Sequence, residues 1–344
     1  MPVSDHQLVS AWRQVLKLSK LEPGQTVTIL TSAATHPQNL TCALIAAQDM
    51  GAIVNRLDLP PINGEKALSR DSLAYLGTTP LTGNPAAIAA LKASDLVLDL
   101  MTLLFSPEQH EILQAGTKIL LAVEPPEILV RMVPNEADRE RVLAATARIG
   151  QARELQALSA AGTDLRCPLG EFPAIAEYGY VDEKGRWDHW PSGFALTWPN
   201  EGQTQGTIVI DRGDILLPQK CYVTEPITLT VKNGYAVKID GGMHAQMLAE
   251  YMASFKDPEA YAISHIGWGL QPRANWTTLG LYDREATIGM DARAFEGNFL
   301  FSLGPNNEAG GKRTTTCHID IPLRRCTVRL DGQDMVREGK VLDR

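Results

Sequence analysis

Thr26-Val-Thr-Ile-Leu-Thr31, a helical run over 38–50 that closes near Gly51, and Ala52-Ile-Val-Asn-Arg-Leu-Asp58 give strand, helix and strand in immediate succession. Parallel strands need a crossover between them, and a helix is the usual one. The alternation extends in both directions. Before it, residues 6–20 carry Leu8, Trp12, Val15 and Leu16 at helical spacing. After it come an alanine-rich helix over 84–92, a buried strand over 94–99, and a helix opened by Ser106-Pro-Glu-Gln, with serine as N-cap and proline in the first position. Gly116 ends that helix, and 118–123 reads as a further apolar strand. The order predicts an α/β N-terminal domain built on a mostly parallel sheet flanked by helices.

A charged helix over 135–155 closes this half. Beyond it the texture changes to short β-branched segments at 207–210, 227–231, 236–239, 315–322 and 326–330, separated by Gly, Pro and Asp/Asn turns. One clear helix remains, over 242–255. The expected division is therefore 1–155, an α/β scaffold and oligomerisation domain, and 156–344, a β-rich α+β domain that holds the chemistry. No GxGxxG follows the first strand and no GxxxxGK[ST] occurs, so the parallel sheet carries no nucleotide signature.

The 344 residues are 44% hydrophobic and 21% charged, enough to bury a sizeable core without disulfide staples. Asp and Glu outnumber Lys and Arg by 40 to 32, and no basic run interrupts the acidic balance, which excludes nucleic acid as the expected partner. Five widely spaced cysteines with no CxxC pair argue for a reducing compartment and against a thiolate zinc site. The first residues lack a basic region followed by an apolar one, and no run approaches membrane-spanning length. A cytoplasmic protein that does not engage membranes is the expectation.

Seven histidines occur, and His6, His36 and His110 have no acidic or histidine partner at useful spacing. Thr314-Thr-Thr-Cys-His-Ile-Asp-Ile-Pro322 differs: on a strand, His318 and Asp320 would point the same way, two thirds of a facial triad for a metal ion. His265, where a short apolar strand meets the glycine-rich Gly267-Trp-Gly269, offers a third ligand, or else a histidine bonded within its own loop. Glu177, His189 and Arg293 stand out as further polar groups, and Trp187, Trp190 and Trp198 surround His189 in sequence. Those rings would either wall a pocket for a flat substrate or form a core beneath a loop.

Glu177-Tyr-Gly-Tyr180, Gly185-Arg-Trp-Asp-His-Trp-Pro-Ser-Gly-Phe194, His265-Ile-Gly-Trp-Gly-Leu-Gln-Pro-Arg273, Met290-Asp-Ala-Arg-Ala-Phe295, Gly297-Asn-Phe-Leu-Phe-Ser302 and Cys317-His-Ile-Asp-Ile-Pro322 together resemble the 2,5-dihydroxypyridine 5,6-dioxygenases of nicotinate and pyridine breakdown. The resemblance runs over nearly the whole chain. It implies one Fe(II) per subunit held by His265, His318 and Asp320, extradiol-type ring cleavage of 2,5-dihydroxypyridine by O2 to N-formylmaleamate, and a homo-oligomer. His189 and Glu177 would do the acid–base work, with Phe105 and Ser302 joining them around the substrate, and Arg293 would either steady anionic charge there or pair with a structural carboxylate. At Phe105 the family has histidine. A more distant similarity, through 162–164, 190–194 and 206–210, is to the aminopeptidase T/S metallopeptidases, and a metal-dependent hydrolase of that kind is the alternative. Two of their glutamate positions correspond to Phe194 and His265, a loss of negative charge that disfavours a two-cation centre.

Overall fold

The computed structural model describes residues 2–60, 79–103, 106–281, 283–284 and 286–342. Along the chain, α1 (Asp5–Leu18) leads to β1 (Thr26–Thr31), α2 (Pro37–Asp49), β2 (Ile53–Asp58), α3 (Pro85–Lys92) and β3 (Leu96–Asp99). α4 (Pro107–Gln114), β4 (Lys118–Leu121), α5 (Pro126–Arg131) and α6 (Glu136–Gln151) follow. Strands then dominate: β5 (Glu154–Leu158), β6 (Asp164–Pro168), β7 (Ile175–Glu177), β8 (Trp187–His189), β9 (Phe194–Thr197) and β10 (Gln205–Ile210). β11 (Ile215–Leu216), β12 (Cys221–Tyr222), β13 (Ile227–Lys232) and β14 (Tyr235–Gly241) precede α7 (Met243–Ser254). The chain ends with β15 (Ile263–Gly269), α8 (Met290–Ala294), β16 (Phe299–Leu303), β17 (Ile319–Leu323), β18 (Thr327–Leu330), β19 (Gln333–Arg337) and β20 (Lys340–Val341).

These elements form two compact units, and the chain passes between them more than once. One unit holds Met1–Arg139, Glu177–Ser192 and Tyr282–Met290; the other holds Glu140–Ala176, Gly193–Leu281 and Asp291–Arg344. The first contains the parallel sheet, in the order β2-β1-β3-β4-β8. Its fifth strand, β8, comes from well beyond the initial alternation. β3 and β4 are buried along their whole length, as strands covered on both faces must be. The core beside them gathers Leu30, Leu91, Val97, Ile112 and Ile119, each contributing about 2 kcal/mol by leaving water. Ser106 caps α4 with its hydroxyl on Gln109 N, as its position before proline predicts.

In the second unit the ladders from β14 to β20 and from β17 to β9 run antiparallel. Eight strands run β14-β13-β10-β6-β5-β18-β19-β20, and five run β17-β16-β15-β9-β7. The architecture is thus an α/β half with a parallel sheet plus a β-rich half, as the sequence leads one to expect. The helix expected over 135–155 stops at Gln151, however, and Leu155 lies in β5, whose burial alternates residue by residue. Among the described residues no helix is long and apolar enough to cross a membrane.

Candidate active site

His265, His318 and Asp320 converge in the second unit. β15 carries His265 at a β-bulge: Ile263 pairs with Leu303 and Ile266 with Phe301, so Ser264 and His265 face Ser302 alone. A bulge re-aims the side chains it contains. Ser302, fully buried, holds this one by donating from Oγ to His265 O at 3.3 Å. Asp320 is the cross-strand partner of Ser302, on β17. His265 Nε2 lies 3.0 Å from Asp320 Oδ1, and His318 Nε2 lies 3.5 Å from the same oxygen. The three ligand atoms fall within 4.8 Å of one another. Arg293, on α8, engages the other carboxylate oxygen, Nε to Oδ2 at 2.5 Å.

Two local expectations need correction. Residues 314–322 are not one strand: β17 begins at Ile319, so His318 stands just ahead of it. The ladder ends there because Leu303, the last residue of β16, pairs with Ile319, while the next residue, Gly304, turns its N–H to Ala262 O. Nor does His265 sit at a strand–turn junction. β15 continues through both glycines, and Gly267 is bare because a Cβ there would run into Ala195 O and lie 2.8 Å from Leu196 Cα on β9. The glycine marks a close approach rather than a turn.

The electrostatics suit a cation. Burial drives the His318 imidazole down to about 4, so it is neutral near pH 7, the form that ligates metal. Burial alone would raise Asp320, but His318, Arg293 and His265 outweigh it and hold the carboxyl well below its ordinary range. Asp320 Oδ1 is buried, faces two imidazole nitrogens and accepts no well-aligned hydrogen bond. A buried carboxylate oxygen left in that state is costly unless a positive ion completes it. Two nitrogens and one oxygen form the donor set of a mononuclear site that keeps open positions.

A second buried cluster, in the first unit, joins Glu177, Asp188 and His189. His189 Nδ1 lies 2.7 Å from Pro191 O, a carbonyl that can only accept, so this nitrogen carries hydrogen. Nε2 lies 2.6 Å from Glu177 Oε2, a separation that requires a shared proton. Burial alone would lower the imidazole; the Glu177 carboxylate outweighs it and holds His189 above its ordinary value. Asp188 accepts from Tyr178 N at 2.9 Å and His189 N at 2.8 Å and pairs with Arg186 at 2.6 Å. Both ring nitrogens of His189 and both oxygens of Asp188 are thus engaged within the protein, unlike Asp320 Oδ1 of the first cluster.

Glu177 and His189 are thus brought together, and Arg293 and Ser302 meet the cluster of His265, His318 and Asp320; Phe105 lies outside the described residues. The three tryptophans part company. Trp187 packs edge-on against His189 at 5.3 Å between ring centres, and Trp198 meets His265 at 5.8 Å. Trp190 is core, packed on Trp12 at 5.0 Å with its indole donating to Met132 O. Sequence reasoning missed Asp188, inside the strand that ends at His189, and Arg186, just ahead of it; their signal was their place either side of Trp187.

The family model described as 2,5-dihydroxypyridine 5,6-dioxygenase matches residues 7–343. The 2,5-dihydroxypyridine 5,6-dioxygenase of Pseudomonas putida KT2440 is 55% identical over 342 residues, 99% of this chain and 98% of that one. The solved structure of 2,5-dihydroxypyridine dioxygenase from the same organism superposes with a TM-score of 0.97, covering 100% of this chain and 99% of the other. AmpT from Thermus thermophilus, at 16% identity and a TM-score of 0.63 over 98% of this chain and 99% of its own, shares the fold.

Proposed function

The chain belongs to the 2,5-dihydroxypyridine 5,6-dioxygenase family, and from that premise we propose that it opens the 2,5-dihydroxypyridine ring between C5 and C6, giving N-formylmaleamate, at one ferrous ion held by His265, His318 and Asp320. The observation that carries the reading is the meeting of two imidazole Nε2 atoms on one carboxylate oxygen, at 3.0 and 3.5 Å. Iron bound there supplies a redox-active centre through which triplet oxygen can react with a singlet aromatic ring, which zinc or magnesium cannot do. Both oxygen atoms stay in the product, so no external reductant is consumed, in keeping with the missing nucleotide motif.

The protein residues hold the ion and move protons. Arg293 restrains one oxygen of Asp320 and leaves the other toward the imidazoles. His189 and Glu177 are assigned the acid–base work: the reaction takes one proton from a ring hydroxyl and returns one to a leaving oxygen, and a pair sharing a single proton can do both. The bond from His189 Nδ1 to Pro191 O fixes the ring so that only Nε2 exchanges. Arg293 and Ser302 are assigned to the substrate surroundings through their neighbours at the ligands. Phe105 is assigned to ring recognition, and Phe105→His should change KM for 2,5-dihydroxypyridine several-fold; an unchanged KM removes it from the substrate. A cytoplasmic homo-oligomer completes the reading; fractionation and light scattering test it.

Protein purified without oxygen and loaded with Fe(II) should consume one O2 per 2,5-dihydroxypyridine in an oxygen electrode. Zinc-loaded protein should consume none. His318→Ala should lose both the bound iron and turnover, and stoichiometric iron with normal activity in that variant would overturn the ligand assignment.

A further inference from the structure

Helix α8 has five residues, too few to persist on its own hydrogen bonds. It carries Arg293, whose Nε grips Asp320 Oδ2. Its position must therefore be imposed by neighbours, and in the second unit one buried side chain does so from two directions. Asn298, fully buried, donates from Nδ2 to Arg293 O at 2.7 Å and to Ala292 O at 3.5 Å. Its Oδ1 accepts from Gly269 N at 2.7 Å. Gly269 is the last residue of β15, the strand of His265. The amide of Asn298 thus ties the backbone of the arginine that restrains one ligand to the strand that carries another.

The surroundings fit that role. A Cβ on Gly269 would run into Phe295 O and stand 2.6 Å from Ala294 O, so the end of α8 rests directly on the β15 backbone. Gln271 N donates to Ala294 O at 3.0 Å, and Gly297 N donates to Gly269 O at 3.0 Å, on either side of the same seat. A hydrophobic residue at 298 would leave Gly269 N and Arg293 O without this partner in a dry interior, where an orphaned polar group is costly. The most direct relief is for α8 to shift, and Arg293 shifts with it.

We infer that Asn298 is a positioning residue for the metal centre, acting through Arg293 on Asp320 and through Gly269 on the strand of His265. The inference rests on the reading of His265, His318 and Asp320 as ligands. Partners behind the ligands of a metal site typically change affinity or activity by about 10–100-fold when removed. Asn298 stands one step further back, so the lower end of that range is expected.

The test is titration of metal-free protein with Co(II), whose visible bands report the ligand set without turnover. Wild type should bind one Co(II) per chain. Asn298→Ala should bind it about tenfold more weakly with altered bands, and in Fe(II)-loaded enzyme kcat should fall more than KM rises. Thr163→Val is the control: it removes a buried hydroxyl that bonds Val209 N and O in the eight-stranded sheet, so it should lower thermal stability and leave Co(II) affinity intact. Should Asn298→Ala fail to fold, Gly269→Ala disturbs the same seat and should weaken Co(II) in the same way. Wild-type Co(II) affinity and bands in whichever of these variants folds would overturn the inference and leave the ligand assignment standing. Absence of Co(II) binding by wild type would overturn both.

Discussion

The two oxygens of Asp320 face different partners: Oδ2 meets Arg293, while Oδ1 is turned to the imidazoles of His265 and His318. Glu177 and His189 form the complementary case, in which a carboxylate and an imidazole hold one proton between them. Because the folded pKa of His189 is raised above its ordinary value, the pair stabilises the protein below that ordinary value, and the contribution is lost as pH rises through the raised one. Glu177→Gln removes the principal raising influence and leaves burial to dominate. The pH at which His189 loses its proton should drop, and the alkaline limb of the pH–rate profile should move to lower pH with it; a profile matching wild type would separate His189 from the acid–base role. Single residues were partly legible in the sequence. His318 and Asp320 announced themselves by alternate spacing, whereas Asp188 was hidden because a carboxylate beside an arginine reads as an ordinary ion pair until its burial is known.

At the scale of elements, the strand of His265 owes its form to two irregularities that a search for regular period cannot find. The bulge against Ser302 breaks the alternation, and Gly267 sits where β9 comes too close for any side chain. Both look like a turn in sequence, which is why that reading stopped the strand early. Gly267→Ala should force β15 and β9 apart beside the ligand, costing about 1–3 kcal/mol in chemical denaturation, the range typical of overpacking, with loss of metal binding at the same time. Unaltered stability would mean that β9 moves aside freely. The early strands and helices were legible because each is short, periodic and bounded by Gly, Pro or a serine cap. The join at 151–155 was not: Leu155 keeps an apolar position in either period, and pairing with β6 and β18 decides for strand.

For the molecule as a whole, the two halves differ in what their sheets do. In the parallel sheet β3 ends on Asp99, fully buried and accepting from the N–H groups of Met101, Thr102 and Leu103. Burial outweighs those bonds and raises its carboxyl to about 6. A raised folded pKa favours the fold while the group is protonated, so this contribution is complete below about pH 4 and disappears as pH passes about 6, a term of at most about 3 kcal/mol. Stability curves of wild type and Asp99→Asn should therefore diverge in slope between those limits; parallel curves would show that Asp99 titrates normally. In the other half, β16 lies between β15 and β17, and all three strands are buried along their length. The ladder carries His265 and Asp320, and His318 stands one residue ahead of β17, so backbone pairing can assemble the three side chains before any ion arrives. Nothing in that order of events selects iron: a prefolded pocket of two imidazoles and a carboxylate favours zinc or copper over ferrous ion on affinity alone. On the function proposed above, the working fraction would follow the supply of reduced iron over its competitors.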